Sequence, residues 1–350
     1  MEEKKIIAYK GFDYKLSCDE IQYEVGKEYE LESEDIVCGV YGFHAYKNPI
    51  DVFRHYKHNM SNRFCVVELS GKIVEEDFLC TAQKIKIIKE IEAEDIYAAW
   101  VELMISENNT KKILCRKKTN ANNKDEDFSL IEMSTHEKHI LSNSDHISII
   151  SSGWKNLICL TGYCATVLSS GRYANIKTIG SNDLIISKGF APHIVTSGRE
   201  TLICATDDYG QISLNGSSCR ICALGSNMDI NAHGMNIQIW SCGRDAQIST
   251  NGCKNMICSS GANAQITTCG FEDHVESKGK NAIICCTGQD SVVKAKIGSY
   301  ITLTEWGEEY PEYYVPILSR TEFVDGDHIK EDTWYYIENG EFAEVKYTEV

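Results

Sequence analysis

Proline is almost missing from this chain, with 4 in 350 residues. Its ring removes a backbone donor, so it is kept out of paired strands and helix interiors. So few prolines leave room for a chain that is paired nearly throughout. Long apolar runs are also missing. No stretch approaches the roughly 18 apolar residues of a membrane helix, and Met1 to Ile7 lacks the apolar core of an export signal. The expectation is a cytoplasmic protein without a membrane partner. An excess of positive charge is lacking too. There are 35 basic and 51 acidic side chains, a net charge of −16. That balance argues against binding a nucleic-acid backbone as the main activity. What the chain does have is 25 glycines and 16 cysteines.

The acidic excess is confined to the ends. Residues 1–152 hold 20 basic and 28 acidic residues, residues 153–296 hold 12 and 10, and residues 297–350 hold 3 and 13. A near-neutral middle between acidic flanks marks a change of structural regime.

The middle repeats every nine residues. Glycine stands at 153, 162, 171, 180, 189 and 198, and again from 216 to 288, with Asp207 replacing one member. Five residues after each position is Ile or Val, from Ile158 to Val293, and Ile140 and Ile149 extend the series backwards. Nine residues suit one short strand and one tight turn, not a helical repeat unit. Ile and Val favour strands, and glycine is expected to supply a positive φ in the turn. Two residues beyond the Ile or Val, alternate repeats carry only Ser or Ala, from Ser169 to Ala295. The other half-set is larger and rich in Thr. One coil is therefore two strands and about 18 residues, stacked at the usual ~4.8 Å. The reading is a β-solenoid of the β-roll kind with a thin core.

The outward positions divide the coil into two faces. Asn175, Lys177, Gln211, Ser213, Gln247 and Ser249 make one face polar. Leu184, Ile186, Leu202, Cys204, Cys222, Trp240, Met256 and Cys258 make the other largely apolar. Apolar patches of this kind are seldom left bare. That face is expected to be an interface, covered by a second copy or by a terminal domain. Calcium-binding β-rolls also repeat every nine residues, with an Asp in fixed phase. Asp183, Asp207, Asp229 and Asp273 are read as holding no fixed phase, so no metal is expected. Cys219 and Cys222 flank Ile221 on opposite sides of a strand and cannot meet on one ion. The cysteines are read as small apolar packing residues in a reducing compartment.

Residues 1–110 lack the repeat. Strands are expected at Ile6–Phe12, Tyr23–Leu31, Arg63–Leu69, Lys72–Val74 and Lys84–Ile91, and helices at Pro49–Tyr56 and Ala93–Ile105. Residues 111–128 read as a polar linker and 129–298 as the solenoid. Residues 299–350 read as a small β cap, with a hairpin turn at Asn339-Gly340. The fold class is thus mainly β, with an α+β N-terminal domain.

Several motifs carry a resemblance. They are Tyr9-Lys10-Gly11-Phe12, Gly42-Phe43-His44-Ala45, Asn48-Pro49 and Asp51-Val52-Phe53, with Asp332-Thr333-Trp334-Tyr335 near the end. The chain resembles an uncharacterised family of phage and prophage proteins, in which such a domain precedes short Gly/Ser-rich repeats. The resemblance implies a phage or prophage origin and this architecture, without a known activity. The N-terminal strand order also resembles a reduced ADP-ribosyltransferase. In that comparison Lys10 stands where Arg would bind NAD, His44-Ala45 replaces the Ser motif, and Glu90, Glu92 and Glu94 follow the last strand. Two expectations follow. The first is a non-enzymatic protein whose solenoid presents or oligomerises a ligand- or protein-binding domain, with Tyr9, Lys10, His44, Tyr46, Arg63 and Glu68 as the candidate pocket and no cofactor. The second is a degenerate transferase domain that binds NAD or a related nucleotide, as a sponge or inhibitor of a host signal.

Overall fold

The computed structural model describes residues 4–18, 21–33, 35–56, 62–76, 78–105, 129–309 and 313–345. The expected linker at 111–128 lies outside them. The chain is 54% strand and 5% helix. It divides into two compact units, Met1–Ile113 and Leu114–Val350.

The first unit is a small antiparallel ring of strands. Leu79–Ile91 pairs with Phe43–Tyr46, which neighbours Ile6–Phe12, which pairs with Arg63–Glu76. Arg63–Glu76 pairs back onto Leu79–Ile91 and closes the ring. Glu28–Glu30 adds to the outside of Leu79–Ile91. Alternate residues fill the interior, including Ala8, Phe12, Val67, Leu69, Ile85 and Ile87. The expected strand at Tyr23–Leu31 is instead two short ones, Ile21–Gln22 and Glu28–Glu30, because the chain turns at Gly26 with φ 89°. The expected break at Ser70-Gly71 is a bulge inside one long strand, Arg63–Glu76. Pro49–Arg54 is a single 3-10 segment in place of the expected longer helix. Ala93–Ile105 is the α-helix. A second cluster holds Tyr46, Val52, Phe64, Ile91 and Ile96.

The second unit is a β-solenoid of about 10 turns, 18 residues apart. Strands pair in parallel with the strand one coil on, in register, so Ile185 faces Ile203, then Ile221 and Ile239. The opposite sheet stacks Ile158, Ile176, Ile194 and Ile212 in the same way. The two Ile columns meet in the buried core. At the C-terminal end Tyr300–Glu309 pairs with the last coil and turns back as Tyr313–Phe323. The Tyr335–Glu338 and Glu341–Glu344 hairpin closes the other sheet, through Val293 and Tyr335.

The turn glycines have a different cause from the one expected. Most of them do not have positive φ. The left-handed residue comes two positions later, once every nine residues from Glu137 to Asp290, with φ between 52° and 62°. Those positions hold Lys155, Cys164, Tyr173, Asn182, Ala191 and Glu200 in turn, so no residue type is required there. From Glu137 to Glu272 the amide of each donates to the coil that follows, as from Lys155 to Arg172 O at 2.8 Å. The glycines are required by contact. A Cβ on Gly198 would lie 1.5 Å from Gly180 O, and one on Gly216 would lie 1.8 Å from Gly198 O. At the glycine positions the turn backbone of one coil rests on that of the coil before with room only for hydrogen, and Asp207 is the one member of the run that carries a Cβ.

Candidate functional site

The six candidate pocket residues do not converge. Tyr9 and Lys10 are adjacent on one strand and so project from opposite faces. Lys10 lies on the ring's inner side and is only 4% exposed. Its ammonium donates to His44 O at 3.0 Å and to Cys18 Sγ at 3.6 Å, and lies 5.5 Å from the centre of the Phe12 ring. Cys18 Sγ also meets the Tyr56 hydroxyl at 3.0 Å. The Tyr56 ring itself lies over Gly11, where any Cβ would collide with it. Tyr9 faces the other way and is the cross-strand partner of Tyr46. Burial raises the Tyr9 phenol. The Tyr46 phenol is pushed up to about 12, by burial first and then by the Asp51 charge. Its hydroxyl is hydrogen-bonded to His55 Nδ1.

The remaining pair is tied elsewhere. Arg63 grips Glu90 with two bonds, Nε to Oε1 at 2.6 Å and an Nη to Oε2 at 2.7 Å. That fork holds the Glu90 carboxyl below the usual range. Glu68 pairs with Lys5 at 2.8 Å. Of the carboxylates considered for transferase chemistry, Glu90 is therefore occupied by Arg63. Glu92 opens the helix, its amide donating to Asp95 Oδ2 at 3.1 Å. Lys10 reaches the main-chain carbonyl of His44 from the inner side, while the side chains of His44 and Tyr46, two apart on one strand, share the outer face with Tyr9. Sequence reasoning missed Cys18, His55 and Tyr56. Cys18 ends a two-residue strand and His55 and Tyr56 follow the 3-10 segment, where no periodicity marks them, and only the folded ring brings them beside Lys10 and Tyr46.

The apolar solenoid face is largely covered within the chain. Ile186, Cys204, Cys222 and Trp240 are no more than 1% exposed within a single chain, and Cys258 is 6% exposed. Leu184, Leu202 and Met256, in the neighbouring outward column, are partly exposed. The most apolar column is thus shielded from water within a single chain. It ends in charge. Glu276 pairs with Lys294 at 2.7 Å, and the Lys294 ammonium lies 5.0 Å from the centre of the Trp334 ring.

One corner of the solenoid buries polar groups. Asp183, Thr201, Cys219, Asn255, Asp273 and Ser291 fall three residues after a repeat position, whole coils apart. Asp183 and Asp273 therefore do share a phase, contrary to the sequence reading. Their role is structural. Asp183 Oδ1 accepts the Ala165 amide at 3.0 Å, and Asp273 Oδ1 accepts the Asn255 amide at 2.8 Å, each from the coil before. Asn255 Oδ1 does the same for Ile237 at 3.0 Å. Burial raises the Asp183 and Asp273 carboxyls, against the hydrogen bonds that lower them. Among the described residues, no three His, Cys, Asp or Glu side chains gather as a metal site. No helix among them is long and apolar enough to cross a membrane.

Residues 6–99 match a family described as a domain of unknown function, DUF7666. No curated protein and no solved structure matches the chain.

Proposed function

We propose that this is a non-enzymatic protein of phage or prophage origin, in which the solenoid is a stiff scaffold for an N-terminal binding domain. The observation that supports this reading is the pairing of the N-terminal polar groups. Arg63 with Glu90, Glu68 with Lys5, and Lys10 with the His44 carbonyl are separate local contacts, spread over two faces of one sheet. A catalytic centre needs an acid, base or nucleophile converging on one reacting atom. The solenoid repeats one stacking solution coil after coil, which favours stiffness over local motion. The nucleotide-binding alternative gains little from this geometry, because its candidate carboxylate Glu90 is neutralised by a fork of two hydrogen bonds. Calorimetry of the full chain with NAD and with ADP-ribose is expected to show no saturable heat. Incubation with NAD is expected to release no nicotinamide. Nicotinamide release that Glu90→Gln abolishes would overturn the scaffold reading.

A further inference from the structure

One corner of the solenoid carries a ridge of aromatic rings. Trp154 follows the glycine of its coil, and Phe190 holds the same place two coils on. Tyr173 and Tyr209 occupy the left-handed position of their turns. Tyr173 and Phe190 lie 5.8 Å apart between ring centres, and Phe190 and Tyr209 lie 5.4 Å apart. Lys155 stands 5.0 Å from the Trp154 ring and Arg172 stands 5.2 Å from the Phe190 ring. Trp154 is 41% exposed, Tyr173 48% and Tyr209 54%. In the later coils the same two positions are Ser226 and Asn227, Arg244 and Asp245, then Ala262 and Asn263. The aromatic character is therefore local and not a requirement of the repeat.

The backbone makes this choice unfavourable for folding. Tyr173 and Tyr209 have φ of 57° and 62°. A bulky side chain is an outlier there, whereas Asn is tolerated. Asn occupies the equivalent turn position at 227, 263 and 281. Half-exposed rings recover little burial in exchange. Lys155 and Glu200 carry the same strain without a ring, so it is the clustering of the rings on this corner that sets it apart.

We propose that this ridge binds a neutral, extended polysaccharide chain. Three observations select that occupant. Parallel strands stack at about 4.8 Å per coil, close to the length of one sugar ring in an extended glycan, so successive rings of the ridge keep step with successive sugars. The ridge is nearly neutral, because Lys155 is paired with Glu137 at 3.7 Å and the charge of Arg172 is offset by Asp208, in the same column two coils on. A polyanion would find no excess of basic side chains on the ridge. Aromatic faces take the C–H faces of sugars, and the tyrosine hydroxyls supply hydrogen bonds at the edge. The inference does not depend on the N-terminal unit.

The test uses the full chain with cellohexaose, mannohexaose and chitohexaose, read by tryptophan fluorescence and calorimetry. At least one hexasaccharide should bind saturably, about tenfold more tightly than its disaccharide, a difference of roughly 1.4 kcal/mol. The double variant Tyr173→Asn, Tyr209→Asn should weaken that binding at least tenfold while its melting temperature stays the same or rises. The proposal is overturned if no hexasaccharide binds, if the disaccharide binds equally well, or if binding survives in the variant. Binding of oligothymidylate that the same variant abolishes would assign the ridge to nucleic acid and also overturn it.

Discussion

Replacing Gly216 by Ala and Ser218 by Gly, two residues apart in one turn, should move stability in opposite directions. Gly216 does not have positive φ. Where space allows, Gly→Ala at an ordinary φ stabilises a protein by roughly 0.4–1 kcal/mol, through the unfolded chain. Here the added Cβ would lie 1.8 Å from Gly198 O and 2.9 Å from its carbonyl carbon. Relief requires the coils to part by about 1 Å out of a spacing of about 4.8 Å. That movement strains neighbouring ties such as Glu200 N to Ser217 O at 3.0 Å and Ser218 N to Met235 O at 2.9 Å. Overpacking costs about 1–3 kcal/mol and a weakened buried hydrogen bond about 1 kcal/mol, so a loss of about 3 kcal/mol is expected for G216A. At about 2–4 °C per kcal/mol for a unit of this size, its melting temperature should fall by roughly 6–12 °C. Ser218 has φ 57°. Glycine there relieves about 1 kcal/mol of left-handed strain and adds about 0.5 kcal/mol of chain entropy, a small net gain. S218G should therefore melt about 1–2 °C higher. Circular dichroism melts of the two variants and the parent decide the matter. If G216A melts at or above the parent, the close approach of coils is not what demands glycine.

Asp183→Asn should stabilise the protein at neutral pH, because Asn255 already fills the equivalent position with the same Oδ1-to-amide bond. Burial raises the Asp183 carboxyl in the fold. The native state then holds its proton more tightly than the unfolded chain does, and stability falls as pH rises from the unfolded value through the raised folded one. The advantage of D183N in melting temperature should accordingly be largest at pH 7 and shrink towards pH 4; an advantage that grows on acidification would refute the assignment. Cys269 is the one exposed cysteine among the described residues, so Cys269→Ser should remove a fast-reacting thiol from the native protein in a timed assay with Ellman's reagent. An unchanged fast phase would contradict its exposure. Deleting residues 300–350 removes the strand paired with Ile283–Cys286 and the Tyr335 contact to Val293. Both sheets would then end in open edges, which invite association, and size-exclusion chromatography should show aggregates in place of a single sharp peak.

The solenoid was legible because its period is written directly in the chain. An Ile or Val every nine residues places one inward side chain per strand, and the Ser and Ala columns show how thin the core is. The reason for the glycines was not legible. Positive φ and close backbone approach both select glycine, and only the position of Gly180 O beneath Gly198 separates them. The true left-handed position was hidden by its variety, because most side chains tolerate it at modest cost. In the first unit, strand alternation alone separates Tyr9 from Lys10. The Arg63–Glu90 fork joins residues 27 apart in sequence, across a pairing whose register shifts at Val66 and Val67. No local pattern encodes that shift.

The polar corner shows how far each coil is a local solution. The residue five before each corner position tends to match it in polarity: Thr178 with Asp183, Thr196 with Thr201, Thr250 with Asn255, and Thr268 with Asp273. Between these pairs stand Leu214 with Cys219 and Ala232 with Ile237, which are apolar. The match is a contact, since Thr268 Oγ1 donates to Asp273 Oδ2. Asp273 thus takes a hydroxyl from its own coil and one amide from the coil before, whereas the Thr178 hydroxyl donates to Thr196 Oγ1 at 2.9 Å, in the next coil. Five coils separate Asp183 from Asp273, about 24 Å at the usual strand spacing. The two share no hydrogen-bond partner, and a change at one need not be answered at the other. The same independence lets the first coils carry strained tyrosines on one corner while later coils keep Asn. Function can then be added to this scaffold coil by coil, as at Tyr209, whose turn has Asp207 in the place of the glycine.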